Sequence, residues 1–363
     1  MGTLAESDIK AVLQTVIDPN LGRDLVAAKA VRKIEITGAD VTVRIALGYP
    51  AKQFKAEMEA LVRGALAGLE GIGKLTVEVG VDILSHAVQK NLKPLEGVKN
   101  IIAVASGKGG VGKSTTAVNL ALALAAEDAR VGILDADIYG PSQPTMLGLS
   151  GQPEIVEGKA ILPKIAYGVQ SMSIGYLVDA DTPMIWRGPM VTGALQQLLK
   201  DTRWDSLDYL IIDLPPGTGD IQLTLAQQIP VSGAVIVTTP QDIALLDAQR
   251  GLRMFEQVSV PVLGIVENMS VHVCSKCGHE EHIFGAGGGE KMAEKYGVEL
   301  LGSLPLDIKI REQADGGHPT VVAEPDGACA RRYREIARKM AGRLALAAKD
   351  YSARFPTISI VNT

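Results

Sequence analysis

The stretch that decides the fold is Gly107-Lys108-Gly109-Gly110-Val111-Gly112-Lys113-Ser114. It matches G-x-x-x-x-G-K-[ST] at every fixed position, and it lies between an apolar run at 101–105 and a helical pattern at 115–126. In a strand–loop–helix of this kind, glycines let backbone N–H groups turn inward, and the helix N-terminus adds partial positive charge. The stretch therefore predicts a phosphate-binding loop for a nucleoside triphosphate.

The loop and one later carboxylate predict the contacts to the nucleotide. Lys113 is expected to reach the β and γ phosphates, and the Ser114 hydroxyl to ligate Mg²⁺. Asp213 ends the apolar run 209–212, the position of a carboxylate that holds Mg²⁺ directly or through water. Segment 214–219 follows as a predicted switch loop. The predicted nucleotide-binding residues of the loop are Gly107, Lys108, Gly109, Gly110, Val111, Gly112, Lys113, Ser114 and Thr115.

Two further carboxylates follow another apolar run. Asp135 and Asp137 come at the end of the run 131–134. Doubly wound sheets bind their ligands at the carboxyl ends of the strands, whereas an aspartate at a strand end also commonly caps the next helix. The phosphate-binding loop favours a functional role for Asp137 and leaves both interpretations open for Asp135.

The order of apolar and amphipathic segments predicts the fold class. From residue 100 onward, short apolar runs alternate with amphipathic stretches of ten or more residues, a rhythm typical of right-handed crossovers between parallel strands. We expect an α/β P-loop NTPase domain, with a mostly parallel sheet flanked by helices. Its predicted strands are 101–105, 131–134, 169–172, 209–212, 234–237, 262–266 and 300–304.

The first part of the chain has a different pattern. Residues 1–82 predict a small α+β domain with a helix at 9–17, a hairpin across the turn Gly38-Ala39-Asp40, a second helix at 51–69 and a strand at 75–81. Residues 83–98 show no period and are predicted to be a linker. The NTPase domain is expected over 99–348, ending in a helix at 329–349, with a tail at 349–363.

Composition excludes several classes of protein. The chain has 363 residues, of which 47% are hydrophobic, and a formal net charge of −5, which disfavours a nucleic-acid-coating protein. Its longest apolar runs fall far short of the roughly 20 residues of a membrane span. Three cysteines do not make a disulfide scaffold, and residues 1–6 show no signal-peptide pattern. We expect a cytoplasmic protein with neither nucleic acid nor membrane as a partner.

A second lysine in the loop, Lys108, points to a family. The run Lys-Gly-Gly-Val-Gly-Lys-Ser-Thr resembles the deviant Walker-A ATPases, the group containing MinD, ParA and the nitrogenase iron protein. Within that group, residues 99–345 are most similar to the Mrp/ApbC family of iron–sulfur cluster carriers, and residues 1–82 resemble the assembly-associated domain that often precedes it. The motifs that carry this resemblance are Asp135-Ala-Asp-Ile-Tyr-Gly-Pro-Ser142, Asp213-Leu-Pro-Pro-Gly-Thr-Gly-Asp220, Glu267-Asn-Met-Ser270 and Cys274-Ser-Lys-Cys277.

The resemblance implies roles for three residues. Lys108 would reach across a nucleotide-bound homodimer to the partner's phosphates and stabilise transition-state charge, as an arginine finger does. Asp137 would position the attacking water, and Asn268 would hydrogen-bond the adenine. The predicted catalytic residues are therefore Lys108, Lys113 and Asp137.

Cys274 and Cys277 have the two-residue spacing of cluster and metal ligands. Two thiolates do not complete a four-ligand site, but a two-fold axis would bring four together from two chains, which suits a bridging [4Fe–4S] cluster. The alternative is zinc held by this pair with His279 and His282, although only one residue separates the Cys and His pairs. Cys329 is expected to be a small, buried residue at a helix start.

These observations predict a homodimeric ATPase that uses ATP and Mg²⁺, holds a [4Fe–4S] cluster and passes it to apo iron–sulfur proteins. The main alternative is a MinD- or ParA-like positioning ATPase with a structural zinc knuckle. An electron-transfer ATPase of the nitrogenase-iron-protein kind is a further alternative.

Overall fold

The computed structural model describes residues 4–156, 158–178, 188–274 and 276–347. An eight-stranded sheet lies at the centre, and a three-stranded sheet belongs to the N-terminal part of the chain. The predicted tail 349–363 lies outside the described residues.

The N-terminal domain packs two helices on a small sheet. Strands β3 and β4 form the predicted hairpin, and β5 pairs with β4 in parallel. Alternate residues of β4 are buried, because one face of this sheet packs against the helices while the other faces solvent. The elements are α1 (Glu6–Leu13), β1 (Ile17–Asp18), β2 (Arg23–Asp24), β3 (Val31–Thr37), β4 (Asp40–Leu47), α2 (Lys55–Leu66) and β5 (Leu75–Val81).

The central sheet is parallel except at one edge. Its strand order is β10-β11-β7-β12-β6-β13-β14-β17, and only β10 pairs antiparallel with its neighbour β11. The strands of the second part of the chain are β6 (Ile101–Ala105), β7 (Val131–Asp135), β8 (Ile155–Val156), β9 (Ala160–Ile161), β10 (Lys164–Ala166), β11 (Val169–Ser173), β12 (Tyr209–Asp213), β13 (Gly233–Thr238), β14 (Val262–Glu267), β15 (His272–Val273), β16 (Glu280–Glu281) and β17 (Leu300–Ser303).

Helices cover this sheet. The helices are α3 (Lys113–Ala126), α4 (Gln143–Met146), α5 (Gly188–Asp201), α6 (Asp220–Gln228), α7 (Asp242–Gln257), α8 (Gly288–Tyr296), α9 (Ile308–Asp315), α10 (Thr320–Ala323) and α11 (Ala328–Ala345). Every residue of β6, β7, β12 and β13 is buried, which explains why these strands read as continuous apolar runs. The predicted α/β fold class is confirmed.

Strand order places the candidate site. The loop after β6 leads into α3, and β6 lies between β12 and β13. From β6 the chain first adds strands toward one edge of the sheet (β7 and β11) and later toward the other (β13, β14 and β17). Such a topological switch point is the ligand crevice of an open α/β sheet. Asp135 and Asp213 end adjacent strands and are register partners, so two of the predicted carboxylates meet at this crevice.

Several local predictions were wrong. The first helix ends at Leu13, because the chain turns so that Ile17 and Asp18 pair with Asp24 and Arg23. The helical stretch predicted at 51–69 begins with turns, and its helix is Lys55–Leu66. The strands β8, β9 and β10 were not predicted, since they are only two or three residues long. The final helix ends at Ala345, and residues 348 and 349 of the predicted span lie outside the described residues.

The segment 83–98 is docked on the second domain, although it forms no helix or strand. The buried amide of Gln89 donates to the carbonyls of Ala226 and Ile229 at 2.8 and 3.2 Å and accepts from the Val231 N–H at 3.1 Å. Its lack of periodicity therefore reflects irregular backbone held by side-chain hydrogen bonds.

The two domains meet at the C-terminal end of the phosphate-loop helix. Glu127, the residue after α3, is buried and accepts hydrogen bonds from Arg338 of α11 at 2.5 Å and from the Gln53 N–H at 2.8 Å. Arg338 also lies over the Phe54 ring, 5.5 Å from its centroid. The Glu127–Arg338 ion pair thus joins α3 to α11, and Gln53 and Phe54 of the N-terminal domain contact the two partners of the pair.

Candidate functional site

The loop between β6 and α3 has the backbone that anion binding requires. Gly110 and Gly112 adopt φ values of +80° and +79°, in the left-handed region that favours glycine. Helix α3 begins at Lys113, directly after Gly112. The loop therefore ends at the N-terminus of a fourteen-residue helix, whose free N–H groups and dipole favour a phosphate.

Lys113 joins the two residues predicted to ligate Mg²⁺. Its ammonium forms an ion pair with Asp213 Oδ1 and donates to Ser114 Oγ at 3.1 Å. The Asp213 carboxylate is completely buried, and the Lys113 side chain is nearly so. A carboxylate and a hydroxyl at one point are hard oxygen donors of the type that Mg²⁺ prefers, so the residues present fit the ion.

Asp135 holds the loop that carries Asp137. Its carboxylate accepts backbone N–H bonds from Asp137, Ser142 and Gln143 at 3.1, 2.9 and 3.0 Å. Burial and the neighbouring Asp213 carboxylate raise the pKa of Asp135 to about 7. Two of these donors, Ser142 and Gln143, lie at the start of α4, so the contacts fit the helix-capping alternative that the sequence left open for Asp135.

Asp137 is half-buried and lies within electrostatic reach of the lysine and the carboxylate of the site. Burial raises the pKa of Asp137, while Lys113 lowers it and Asp213 raises it. Three of the predicted residues, Lys113, Asp213 and Asp137, therefore influence one another across the crevice.

Lys108 is folded back onto its own chain. Its ammonium donates to Gln241 Oε1 at 3.3 Å, and its carbonyl accepts from the Ser106 hydroxyl at 2.9 Å. The Ser106 carbonyl in turn accepts from the Gly217 N–H at 2.9 Å. Ser106 thus connects the phosphate-binding loop to the segment 214–219, the predicted switch loop.

Asn268 lies against the phosphate-binding loop. Its side-chain amide donates to the Val111 carbonyl at 2.9 Å and touches the position that a side chain on Gly112 would occupy. The residue predicted to contact adenine is therefore part of the same site, and in this structure it also supports the loop.

The cysteine pair lies in a tight turn of the hairpin formed by β15 and β16. The Cys274 N–H donates to the His279 carbonyl at 2.9 Å, and the Gly278 N–H donates to the Cys274 carbonyl at 2.8 Å. Gly278 has φ +72°, which lets the chain reverse after the second cysteine. Cys274 is half-buried and Cys277 is exposed. Backbone N–H groups of Lys276 and Cys277, followed by the Cys277 side chain, lower the pKa of Cys274.

Two of the histidines near this turn, His272 and His282, have other contacts. His282 Nδ1 lies 2.8 Å from the Ser270 carbonyl, and His272 Nδ1 lies 3.1 Å from the Leu306 carbonyl. Within residues 4–347, apart from the gaps in the description, no group of three or more His, Cys, Asp or Glu side chains is arranged to hold a metal ion. The structure describes the two cysteines in one turn, with Cys274 half-buried and Cys277 exposed.

Cys329 lies in α11, one residue after its start, where it is half-buried, and burial raises its pKa.

Three residues of the site were not identified from the sequence: Ser106, Gln143 and Gln241. Gln143 follows the quoted Asp135–Ser142 motif by one residue, and Gln241 directly precedes α7. A polar residue next to a turn is too common a signal to identify either glutamine, because their partners are distant in the sequence.

A glycine-rich loop at the switch point of a parallel sheet, with a lysine and a buried carboxylate converging on it, defines the class: this is a P-loop NTPase. A family model described as NUBPL iron-transfer P-loop NTPase matches residues 97–341, and one described as iron-sulfur cluster assembly protein matches residues 6–79. The chain belongs to the NUBPL iron-transfer P-loop NTPase family, which confirms the resemblance drawn from the motifs.

Individual relatives are similar to this chain over most of its length. An iron-sulfur cluster carrier protein of Pseudomonas fragi is 60% identical over 279 residues, covering 76% of this chain and 97% of that protein. An iron-sulfur cluster carrier protein of Escherichia coli K12 is 54% identical over 329 residues, 90% of this chain and 89% of that protein. The solved structure of a nucleotide-binding protein in complex with ADP from Archaeoglobus fulgidus superposes with a TM-score of 0.56 at 38% identity, covering 64% of this chain and 90% of that chain.

None of the helices among the described residues has the length and apolar character needed to cross a membrane.

Proposed function

We propose that this protein is an ATP-dependent iron–sulfur cluster carrier that works as a homodimer. The observation that carries the proposal is the Cys274–Cys277 turn, a pair of thiols presented at the surface of a chain that also holds a complete phosphate-binding loop. The names of the relatives support the cluster as cargo, and the loop supports ATP as the energy source.

ATP binding rearranges the Lys113 ion pair. The Lys113 ammonium forms an ion pair with the Asp213 carboxylate. The β and γ phosphates offer it a stronger negative charge, so Lys113 moves to the nucleotide while Ser114 and Asp213 hold Mg²⁺. When bound, Mg²⁺ would supply positive charge that offsets the negative charge developing on the phosphates. The Asp213 carboxylate that Lys113 leaves would then pair with Mg²⁺, so that nucleotide binding and Mg²⁺ binding are coupled.

Hydrolysis needs an oriented water and a cation at the γ-phosphate. Asp137 is the carboxylate available to orient the water, because Asp135 is enclosed by its own loop. Lys108 supplies the cation to the partner's site. Its present contact to Gln241, at 3.3 Å and half-buried, is a single hydrogen bond between side chains, so its release costs only about 0.5–1.5 kcal/mol.

Exposed apolar side chains support the dimer. Tyr139 follows Asp137 by two residues, and Ile243 and Leu246 lie in the first turns of α7 beside Gln241; their exposures are 59%, 70% and 56%. Ile243 and Leu246 lie three residues apart on α7 and so share one face of the helix, and exposed apolar patches are typical of association surfaces. Association through this side would bring the Lys108 of one chain toward the loop of the other.

The thiol pairs of two chains make the cluster site. A [4Fe–4S] cluster takes four thiolates, and each chain presents two. The lowered pKa of Cys274 favours the thiolate, which is the form that ligates iron. Three cysteines in 363 residues do not make a disulfide scaffold, and iron-ligating thiolates need a reducing compartment, which supports a cytoplasmic location. Apo iron–sulfur proteins then receive the cluster.

Ser106 offers a route from nucleotide to conformational change. Its hydroxyl contacts the loop at Lys108, and its carbonyl contacts the switch loop at Gly217. Loss of the γ-phosphate would move both segments together, and hydrolysis would thereby alternate the dimer between states that hold and release cargo.

Anaerobic reconstitution with iron and sulfide tests the proposal. We expect about four iron and four sulfide per dimer in the wild type, and loss of both in Cys277→Ala with nucleotide binding intact. Cys329→Ala is the matched control and should load like the wild type. Zinc at one per chain without labile sulfide, or full iron retention in Cys277→Ala, would overturn the carrier function.

A further inference from the structure

Gln143 is a buried amide in the nucleotide site that the predicted chemistry does not use. It is the first residue of α4 and is completely buried. Its side-chain nitrogen donates to the Ser114 carbonyl at 3.1 Å and to Asp213 Oδ2 at 2.9 Å. Gln143 therefore touches both residues proposed to hold Mg²⁺.

The orientation of this amide is determined by its neighbours. The Ser114 carbonyl and the Asp213 carboxylate are both acceptors, so the NH₂ group must face them and uses its two hydrogens there. The other atom, Oε1, is buried and has no hydrogen-bond donor within the described part of the chain. The neighbouring Ser142 hydroxyl oxygen is also buried without a partner there.

An unpaired buried carbonyl is unfavourable unless a ligand supplies a donor. Phosphate oxygens are acceptors and cannot do so. Mg²⁺ in proteins keeps several of its waters, and these waters are strong donors. The unsatisfied oxygen belongs to the same amide that contacts Ser114 and Asp213, so a water on an ion held by these residues is the donor the site lacks.

We propose that Gln143 is a positioning residue for Mg²⁺, which holds Asp213 through its NH₂ group and accepts a hydrogen bond from a metal-bound water through Oε1. The proposal rests on the proposed Mg²⁺-dependent binding of ATP. Asp135 would contribute to the same role, because its carboxylate accepts the Gln143 backbone N–H at 3.0 Å and so fixes the position of the Gln143 side chain.

The test is the Mg²⁺ dependence of nucleotide binding in Gln143→Met. Methionine keeps the length and volume of glutamine without its hydrogen bonds. With a fluorescent ATP analogue as the probe, we expect the Mg²⁺ concentration at half-maximal affinity to rise about tenfold, a free-energy change of about 1.4 kcal/mol. Affinity in EDTA should stay within about twofold, because phosphate contacts are unchanged. Gln257→Met, on the exposed end of α7, is the matched control and should behave like the wild type.

A shorter amide provides a second variant. Gln143→Asn keeps the polarity but cannot reach both partners, so its Mg²⁺ midpoint should lie between those of the wild type and Gln143→Met; it carries the test if the methionine variant does not fold. An unchanged midpoint in the folded variants, with a normal wild-type response, would overturn the role of Gln143 alone. Wild-type affinity that does not respond to Mg²⁺ would overturn the metal site and this inference together.

Discussion

Lys113 and Asp213 form an enclosed ion pair at the bottom of the crevice, with side-chain exposures of 6% and 0%. A buried pair of this kind gains little net stability over an apolar pair, but removing one partner leaves an uncompensated charge. The pair is therefore better explained by the nucleotide and Mg²⁺ that its members are expected to bind than by a contribution to the free energy of folding. When nucleotide binds, Lys113 is expected to contact the phosphates and Asp213 to hold Mg²⁺.

Lys113→Ala is expected to abolish ATP hydrolysis, because the phosphates lose their principal cation. It should also lower the free energy of unfolding of the ligand-free protein by about 3–5 kcal/mol, since Asp213 is left buried and unpaired. Steady-state phosphate release and urea unfolding measure the two effects. Lys108→Ala is the comparison: it should lose hydrolysis without a comparable loss of stability. Hydrolysis surviving in Lys113→Ala would contradict the assignment.

The two kinds of cysteine should differ in reactivity with pH. In metal-free protein, hydrogen bonds from Lys276 and Cys277 lower the pKa of Cys274, whereas burial raises that of Cys329. Because the thiolate is the nucleophile, alkylation of Cys274 should persist to lower pH than alkylation of Cys329. Site-resolved mass spectrometry after brief iodoacetamide treatment at several pH values checks this. Equal pH profiles at the two sites would refute the thiolate assignment.

At the scale of elements, the phosphate-binding loop is a stretch of backbone that is left-handed at Gly110 and Gly112. Gly112 combines a positive φ with close contact to the Asn268 amide, while Gly109 has open space around the position of a Cβ. The Asp135 loop complements it: backbone N–H groups of that loop converge on one carboxylate. Both loops present their backbone at the carboxyl edge of the sheet.

Gly112→Ala is expected to weaken nucleotide binding by tenfold or more. A left-handed conformation costs a non-glycine residue about 1–2 kcal/mol, and the added methyl must also displace Asn268. Gly64→Ala, at an exposed position of α2 where an added Cβ meets nothing within 4 Å, is the control and should keep its affinity within about threefold. Titration with a fluorescent nucleotide separates the two; similar losses in both variants would mean that the geometry at Gly112 is not what matters.

At the scale of the whole molecule, the N-terminal domain is joined to the end of the phosphate-loop helix. Glu127 is 1% exposed, and its carboxylate is shared by Arg338 and the Gln53 N–H. A buried network continues on the N-terminal side, where Tyr49 donates to Asp18 at 2.7 Å. Helix α3 therefore has the nucleotide site at one end and the domain interface at the other.

Arg338→Ala should destabilise the protein by about 3–5 kcal/mol, because Glu127 remains buried without its cation. Arg311→Ala removes an exposed ion pair with Asp315 and should cost less than about 1 kcal/mol. Urea unfolding of both variants measures the difference. If Arg338→Ala is no more costly than Arg311→Ala, the interface is not held by this pair.

Local signals in the sequence were sufficient to predict the class of protein, a P-loop NTPase. The fixed positions of the loop 107–114, the apolar strands and the helical pattern after them specify a strand–loop–helix, because each follows from backbone conformation and neighbour-to-neighbour periodicity. The same locality explains the errors: Val16 and Ile17 have helical spacing, but burial of Val16 in the core and pairing of Ile17 with Asp24 decide their conformation.

Only the tertiary structure decided which side chains meet. Gln143 contacts Ser114 and Asp213 across separations of 29 and 70 residues, and Arg338 reaches Glu127 across 211. The sequence by itself determined a phosphate-binding loop on a parallel sheet and a pair of closely spaced thiols. Strand order, which depends on packing over the whole chain, determined that Asp135 and Asp213 lie side by side, and thereby which polar groups are left in the crevice for a ligand to satisfy.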